Sequence, residues 1–195
     1  MFSSHIWLAL GWTGYGVLHS LLADKKVKQF IRDRSGKSFR YYRSLYNLVA
    51  FLLLAALIYW LIRIPTQKIW TPVIPQYFIG GIMVITGITG MLVVLKKYFV
   101  TSAGFRDLFY EGGTPNLVVE GLHRIVRHPL YVSTFLFLWG LLLLFPVWSL
   151  LVSNLVITLY TIAAIRLEEK KLVEIFGEQY IKYRKTVPMI WPRMK

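Results

Sequence analysis

The sequence contains no cysteine, which excludes disulfides, thiolate metal sites and a cysteine nucleophile. Any chemistry falls to other groups, and no metal is expected. Acidic residues are scarce as well: 9 Asp and Glu stand against 23 Lys and Arg, a formal net charge of +14. On a soluble protein that excess would point to nucleic acid; here it is assigned to cytoplasmic loops, and no nucleic-acid partner is expected. There is no internal repeat and no low-complexity tract. The apolar stretch 6–23 lacks the basic start and small-residue cleavage site of a signal peptide and holds Trp7, Trp12 and Tyr15. It is therefore expected to be a retained first helix.

What the chain has in excess is apolar surface. Of 195 residues, 56% are hydrophobic and 16% aromatic, and the mean hydropathy is +0.53, against roughly 45–50% apolar residues in a soluble domain. A helix crosses a bilayer with about 20 mostly apolar residues, because every backbone polar group must be satisfied within the segment. Segments 4–22, 45–62, 77–95, 130–145 and 147–165 meet or approach that length. Only Pro146 separates the last two, which predicts a tight helical hairpin with Pro146 opening the fifth helix. The predicted fold is all-α: an integral membrane protein of about five transmembrane helices, the last two a hairpin, followed by a cytoplasmic helix. A single domain is expected over 1–195, with a three-helix part at 1–95 and the loop, hairpin and C-terminal helix at 96–195.

Charge placement tests this division independently, since short cytoplasmic loops collect Lys and Arg. Residues 24–43 carry eight basic residues, 96–129 five and the tail from Arg166 eight, whereas only Arg63 and Lys68 fall on the other side. The prediction is an inner-membrane protein with its N-terminus outside and its C-terminus in the cytoplasm. All nine acidic residues also lie on the inner side, so that face is polar as well as positive. Gly80, Gly81, Gly87 and Gly90 run through the third helix and are read as close helix packing. Residues 101–116, with Gly104, Gly112, Gly113 and Pro115, read as a loop able to cover a site or as a plain connector.

Two segments carry candidate chemistry. In Gly121-Leu-His-Arg-Ile-Val-Arg-His-Pro-Leu-Tyr131, residues His123, Arg124, Arg127 and His128 stand just before an apolar helix beginning near Pro129. Pro at a first turn, unpaired N–H groups and the helix dipole make a helix mouth suited to an anion such as a carboxylate. In the second, Glu168 and Glu169 lie on the extension of the fifth helix, and the hairpin would return them to the level of Arg127 and His128. Adjacent carboxylates on a helix point about 100° apart, so one faces the site while the other orients an arginine. Each segment taken alone is equally explained by positive-inside anchors and ordinary i,i+4 pairs. Tyr180, Tyr183 and Trp191 fit either an interfacial aromatic belt or stacking on an adenine. His5 and His19 lie near helix ends, and an intramembrane histidine is a functional candidate.

Together the segments resemble the isoprenylcysteine carboxyl methyltransferase superfamily. The likeness rests on Gly121 to Tyr131, then Glu168-Glu169, Leu172, Phe176-Gly177, Tyr180, Tyr183 and Val187-Pro188, over about the last 75 residues. The N-terminal part resembles the NnrU-type and methanethiol S-methyltransferase branch through Leu18-His19-Ser20, Arg40-Tyr41-Tyr42-Arg43, Ile64-Pro65 and Ile69-Trp70, and the closing 187–192 is similar to it too. The resemblance implies S-adenosylmethionine as cofactor, lined by Arg124, His128, Pro129, Tyr131, Glu168 and Glu169, with Arg127 and Glu168 catalytic. Arg127 would be nearest the acceptor. His19 and His123 are candidates on the substrate side, and the acceptor is a small thiol or a lipophilic molecule reached from the membrane. Methyl transfer from a sulfonium is an in-line displacement, so lack of cysteine costs it nothing. The alternatives are a phospholipid N-methyltransferase, an NADPH-dependent sterol-reductase-like enzyme and a non-catalytic structural membrane protein. Those reductases usually have Asn before the tyrosine, where this chain has Leu130.

Overall fold

The computed structural model describes residues 2–102, 117 and 119–191. Most of the expected covering loop 101–116, and Pro192 of the closing motif, lie outside the described residues. Among the described residues the structure is all helical, without a strand beyond an isolated bridge between Lys68 and Val147. The helices are α1 (Phe2–Ala23), α2 (Lys25–Ser35), α3 (Tyr42–Arg63), α4 (Ile74–Ser102), α5 (Pro129–Leu144), α6 (Trp148–Phe176) and α7 (Glu178–Thr186), with 3-10 turns at Gly36–Tyr41 and Gly121–Arg124. Four helical stretches are long and apolar enough to cross a membrane, namely Ser3–Ala23, Lys26–Arg63, Ile74–Lys96 and Trp148–Phe176; α5 is apolar but shorter. The 16 residues of α5 rise about 24 Å at 1.5 Å each.

The chain forms two compact units. One contains residues 2–69, 99–102 and 147–160. Its core is Leu8, Trp12 and Ile64, all buried, with Leu57, Leu61 and Val156 against them. A chain of buried polar side chains there is bonded internally, as burial away from water requires. Trp12 Nε1 donates to Ser153 Oγ at 2.9 Å, Ser153 Oγ donates to the Ser149 carbonyl at 2.8 Å, and the Ser149 N–H donates to Thr66 Oγ1 at 3.1 Å. Helix α3 has no buried residue and exposes Leu45, Leu48, Phe51, Leu52, Ile58 and Ile62. A continuous apolar surface of that kind fits hydrocarbon, not water.

The stretch 24–43, expected to be a loop, contains helix α2. Asp24 caps it by accepting from the Lys26 N–H at 2.8 Å. Val27, Phe30 and Ile31 recur at helical spacing among the cations, and Gly36, at φ 52°, ends the helix. The expectation for Pro146 also needs correction. Helix α6 begins at Trp148, with Val147 accepting the first helical bond from Leu151 N–H. Proline thus precedes the cap instead of occupying the first turn, because Val147 and Trp148 are engaged by Lys68 and the Gln67 carbonyl.

The second unit contains residues 70–98, 117, 119–146 and 161–191. Here the glycine pattern of α4 is explained by close approach to α5. A Cβ on Gly87 would fall 2.6 Å from Phe137 N and 2.7 Å from the Ser133 carbonyl, and one on Gly80 would sit 3.0 Å from the Gly140 carbonyl. Gly81 meets nothing within 4 Å and belongs to the other face.

Candidate functional site

Within the second unit, the two sequence motifs meet at the start of α5. Pro129 occupies the first turn of that helix and His128 the N-cap. The chain ahead of it is pinned by the C-terminal segment: the Arg127 N–H donates to the Pro188 carbonyl at 2.9 Å and the His128 N–H to the Met189 carbonyl at 3.2 Å. Helix α6 reaches Phe176, where Gly177 at φ 53° turns the chain into α7. This turn returns residues 180–189 over the α5 entrance. Tyr180, Tyr183 and Val187 are buried together, with Leu172, Val173 and Phe176 against them.

Arg127 and Glu169 form the centre of the network. Arg127 Nε donates to Glu169 Oε1 at 2.7 Å, and the two side chains are 9% and 10% exposed. Arg127 Nη1 donates to the Arg184 carbonyl at 3.1 Å and the Val187 carbonyl at 2.6 Å. A buried carboxylate is thus matched by a buried guanidinium whose Nη1 is held by two backbone carbonyls as well. His128 Nε2 lies 3.2 Å from the same Glu169 oxygen, and His128 Nδ1 lies 3.8 Å from Glu168 Oε2. Both ring nitrogens therefore face carboxylates.

Glu168 occupies a different environment. Its side chain is 45% exposed, and its Oε2 accepts from the Tyr131 hydroxyl at 3.0 Å. The Tyr131 ring stacks on His128 with centroids 5.6 Å apart. A half-exposed carboxylate beside a phenol and an imidazole suits a ligand that brings an ammonium or hydroxyl groups. Tyr131, His128 and Glu168 could hold that part of a cofactor.

The other expected residues are placed as follows. His123 Nδ1 lies 3.1 Å from the Arg127 carbonyl, and the His123 carbonyl accepts from the Tyr183 hydroxyl at 2.7 Å. Arg124 Nε donates back to the Val119 carbonyl at 3.3 Å. His19 belongs to the other unit, against Tyr15 and Tyr46. Tyr180 and Tyr183 are buried packing residues, neither an aromatic belt nor an open stacking surface, whereas Trp191 is exposed. Burial, and behind it the charge of Glu169, push the Tyr180 hydroxyl above the ordinary phenol value. It stays protonated at neutral pH. Sequence reading missed the carbonyls of Arg184, Val187, Pro188 and Met189 as partners of the motif, although Val187-Pro188 marked the segment that supplies them.

Apolar helices of membrane-spanning length, with a charged network at a helix mouth, fit the sequence comparisons. The chain matches the phospholipid methyltransferase family over residues 75–179 and belongs to that family, a class of multi-pass membrane methyltransferases. It is 32% identical, over 91% of its length, to the methanethiol S-methyltransferase of Crocosphaera subtropica, covering 71% of that protein. It is 29% identical, over 94% of its length, to the methanethiol S-methyltransferase of Pseudomonas deceptionensis, of which it again covers 71%. The protein-S-isoprenylcysteine O-methyltransferase of Schizosaccharomyces pombe is 41% identical over 37% of the chain and 31% of its own length. No solved structure matches.

Proposed function

We propose that the protein transfers a methyl group from S-adenosylmethionine to a small thiol at the cytoplasmic face of the inner membrane. The observation that carries this reading is the network joining Arg127, His128 and Tyr131 to Glu168 and Glu169. The thiol acceptor is favoured by the near-full-length similarity to methanethiol S-methyltransferases. In this reading five spans, with α5 and α6 as the last pair, leave the N-terminus outside and the C-terminus inside.

When bound, S-adenosylmethionine would supply an electrophilic methyl on a sulfonium; a thiol that gives up its proton would take it as the methyl–sulfonium bond breaks and the neutral thioether leaves. The chain's own task is to bind, orient and keep water out. Glu168 and Tyr131 offer the acceptor and donor for the ammonium or ribose hydroxyls. Glu169 holds His128 and Arg127 in place. With Nε and Nη1 committed to Glu169 and the C-terminal carbonyls, Arg127 acts in this reading by fixing the site.

The test is calorimetric titration of the detergent-solubilised protein with S-adenosylmethionine, followed by assay of methanethiol conversion to dimethyl sulfide. Failure to bind the cofactor would remove the proposal. Cofactor binding with methylation of phosphatidylethanolamine, and none of the thiol, would transfer the assignment to the phospholipid amine reading.

A further inference from the structure

The first unit contains an open slot between α1 and α3 that the methyl-transfer reading does not use. Leu10, Gly11 and Gly14 of α1 face Leu53, Leu57 and Trp60 of α3 across a cavity of about 350 Å³. That volume lies within the range of roughly 300–1,000 Å³ usual for small-molecule sites. A Cβ on Gly11 would meet Leu57 at 3.0 Å and Trp60 at 3.3 Å, whereas one on Gly14 would meet nothing within 4 Å. Gly11 lets the two helices approach, and Gly14 leaves the slot open.

At Tyr15, Leu18 and Leu53 the slot adjoins a cavity of only about 10 Å³, room for about one water, bounded further on by His19, Leu22 and Tyr46. From Leu10 to Leu18 the slot runs about 12 Å along the helix axis, most of the roughly 15 Å of hydrocarbon in one leaflet. Its walls are apolar until this end. There the Tyr46 hydroxyl lies 2.9 Å from the His19 ring nitrogens, and the Tyr42 hydroxyl donates to the Leu22 carbonyl at 2.6 Å.

A stack of rings leads on from this polar end to the basic segment. His19 and Tyr46 centroids are 5.3 Å apart, Tyr46 and Tyr42 6.4 Å, and Tyr42 and Phe39 5.4 Å, with the Arg32 guanidinium 5.7 Å over Phe39. The segment 24–43 holds eight basic and two acidic residues. Of the acids, Asp24 caps α2 and Asp33 accepts from Gln29. Phe30 is exposed on α2, with Arg34 stacked over it at 4.5 Å.

We infer that this unit binds an anionic phospholipid, with one acyl chain in the α1–α3 slot, the upper part of the head at His19 and Tyr46, and the phosphate among the cations of α2 and the following turn. Volume and apolar lining suit the slot to an acyl chain, and charge complementarity selects the head. A lone apolar groove would accept any lipid; the ring stack from slot to Arg32 couples chain and charge in one site. The inference is independent of the methyl acceptor.

The test is native mass spectrometry of the full-length protein in detergent with equimolar phosphatidylglycerol and phosphatidylcholine of equal chain length. The wild type should retain phosphatidylglycerol about tenfold over phosphatidylcholine. Gly14→Leu should lose both lipids, since it fills the slot where a side chain meets no neighbour. The exposed triple variant Lys26→Gln, Arg32→Gln, Arg34→Gln should bind both lipids equally. Unchanged helicity by circular dichroism identifies folded variants. Millimolar inorganic phosphate should not displace the lipid. Equal retention of the two lipids by the wild type, retained preference in the triple variant, or displacement by phosphate overturns the assignment.

Discussion

Two neighbouring carboxylates divide the candidate site between them. Glu169, 10% exposed, is enclosed by Arg127 and His128, while Glu168, 45% exposed, meets Tyr131 at the surface. Removing Glu169 leaves a guanidinium buried without its counter-charge, so Glu169→Ala should cost about 3 kcal/mol of stability in denaturant unfolding, the order found for broken buried pairs. Glu168→Ala should change stability by less than about 1 kcal/mol. On the methyltransferase reading, it should also weaken S-adenosylmethionine binding about tenfold in calorimetry. Equal stability losses would mean that the two carboxylates are not differently used. The pairing of motifs was legible from sequence, and so was the divergence of two adjacent helical side chains. Which carboxylate turns inward was not, because the choice depends on the Arg184 and Val187 carbonyls that engage Arg127 from 57 and 60 residues away.

At the level of elements, small residues set the α4–α5 contact and glycine sets the break after α6. Gly87→Leu puts a side chain onto the α5 backbone, and the unfolding midpoint should fall sharply. Gly81→Leu, on the open face, should leave the midpoint within a degree or two. Gly177 stands at φ 53°, ψ −130°, a conformation that side chains resist. Gly177→Ala should therefore cost about 1–3 kcal/mol, and limited proteolysis should cut sooner after Gly177. Helix extents were read well where apolar length dominates: expected span 45–62 corresponds to Tyr42–Arg63 and 4–22 to Phe2–Ala23. Helix α2 was not foreseen, since eight cations in 24–43 drew the reading to charge while Val27, Phe30 and Ile31 carried the helical period.

For the whole molecule, the absence of cysteine becomes an experimental advantage, because an introduced cysteine is the only thiol. With the proposed orientation, Lys68→Cys should react with a membrane-impermeant maleimide in intact spheroplasts, and Lys185→Cys only after permeabilisation. The reverse pattern would invert the topology. The division into two units has a further consequence, for biosynthesis. Residues 147–160 complete the unit begun by α1 and α3, and 161–191 complete the one begun by α4 and α5. Neither unit is a continuous stretch of chain, so a ribosome that has finished α4 has released every helix of neither. Both must wait for the synthesis of α6, whose first half closes one unit and whose second half, with α7 and the segment after it, closes the other.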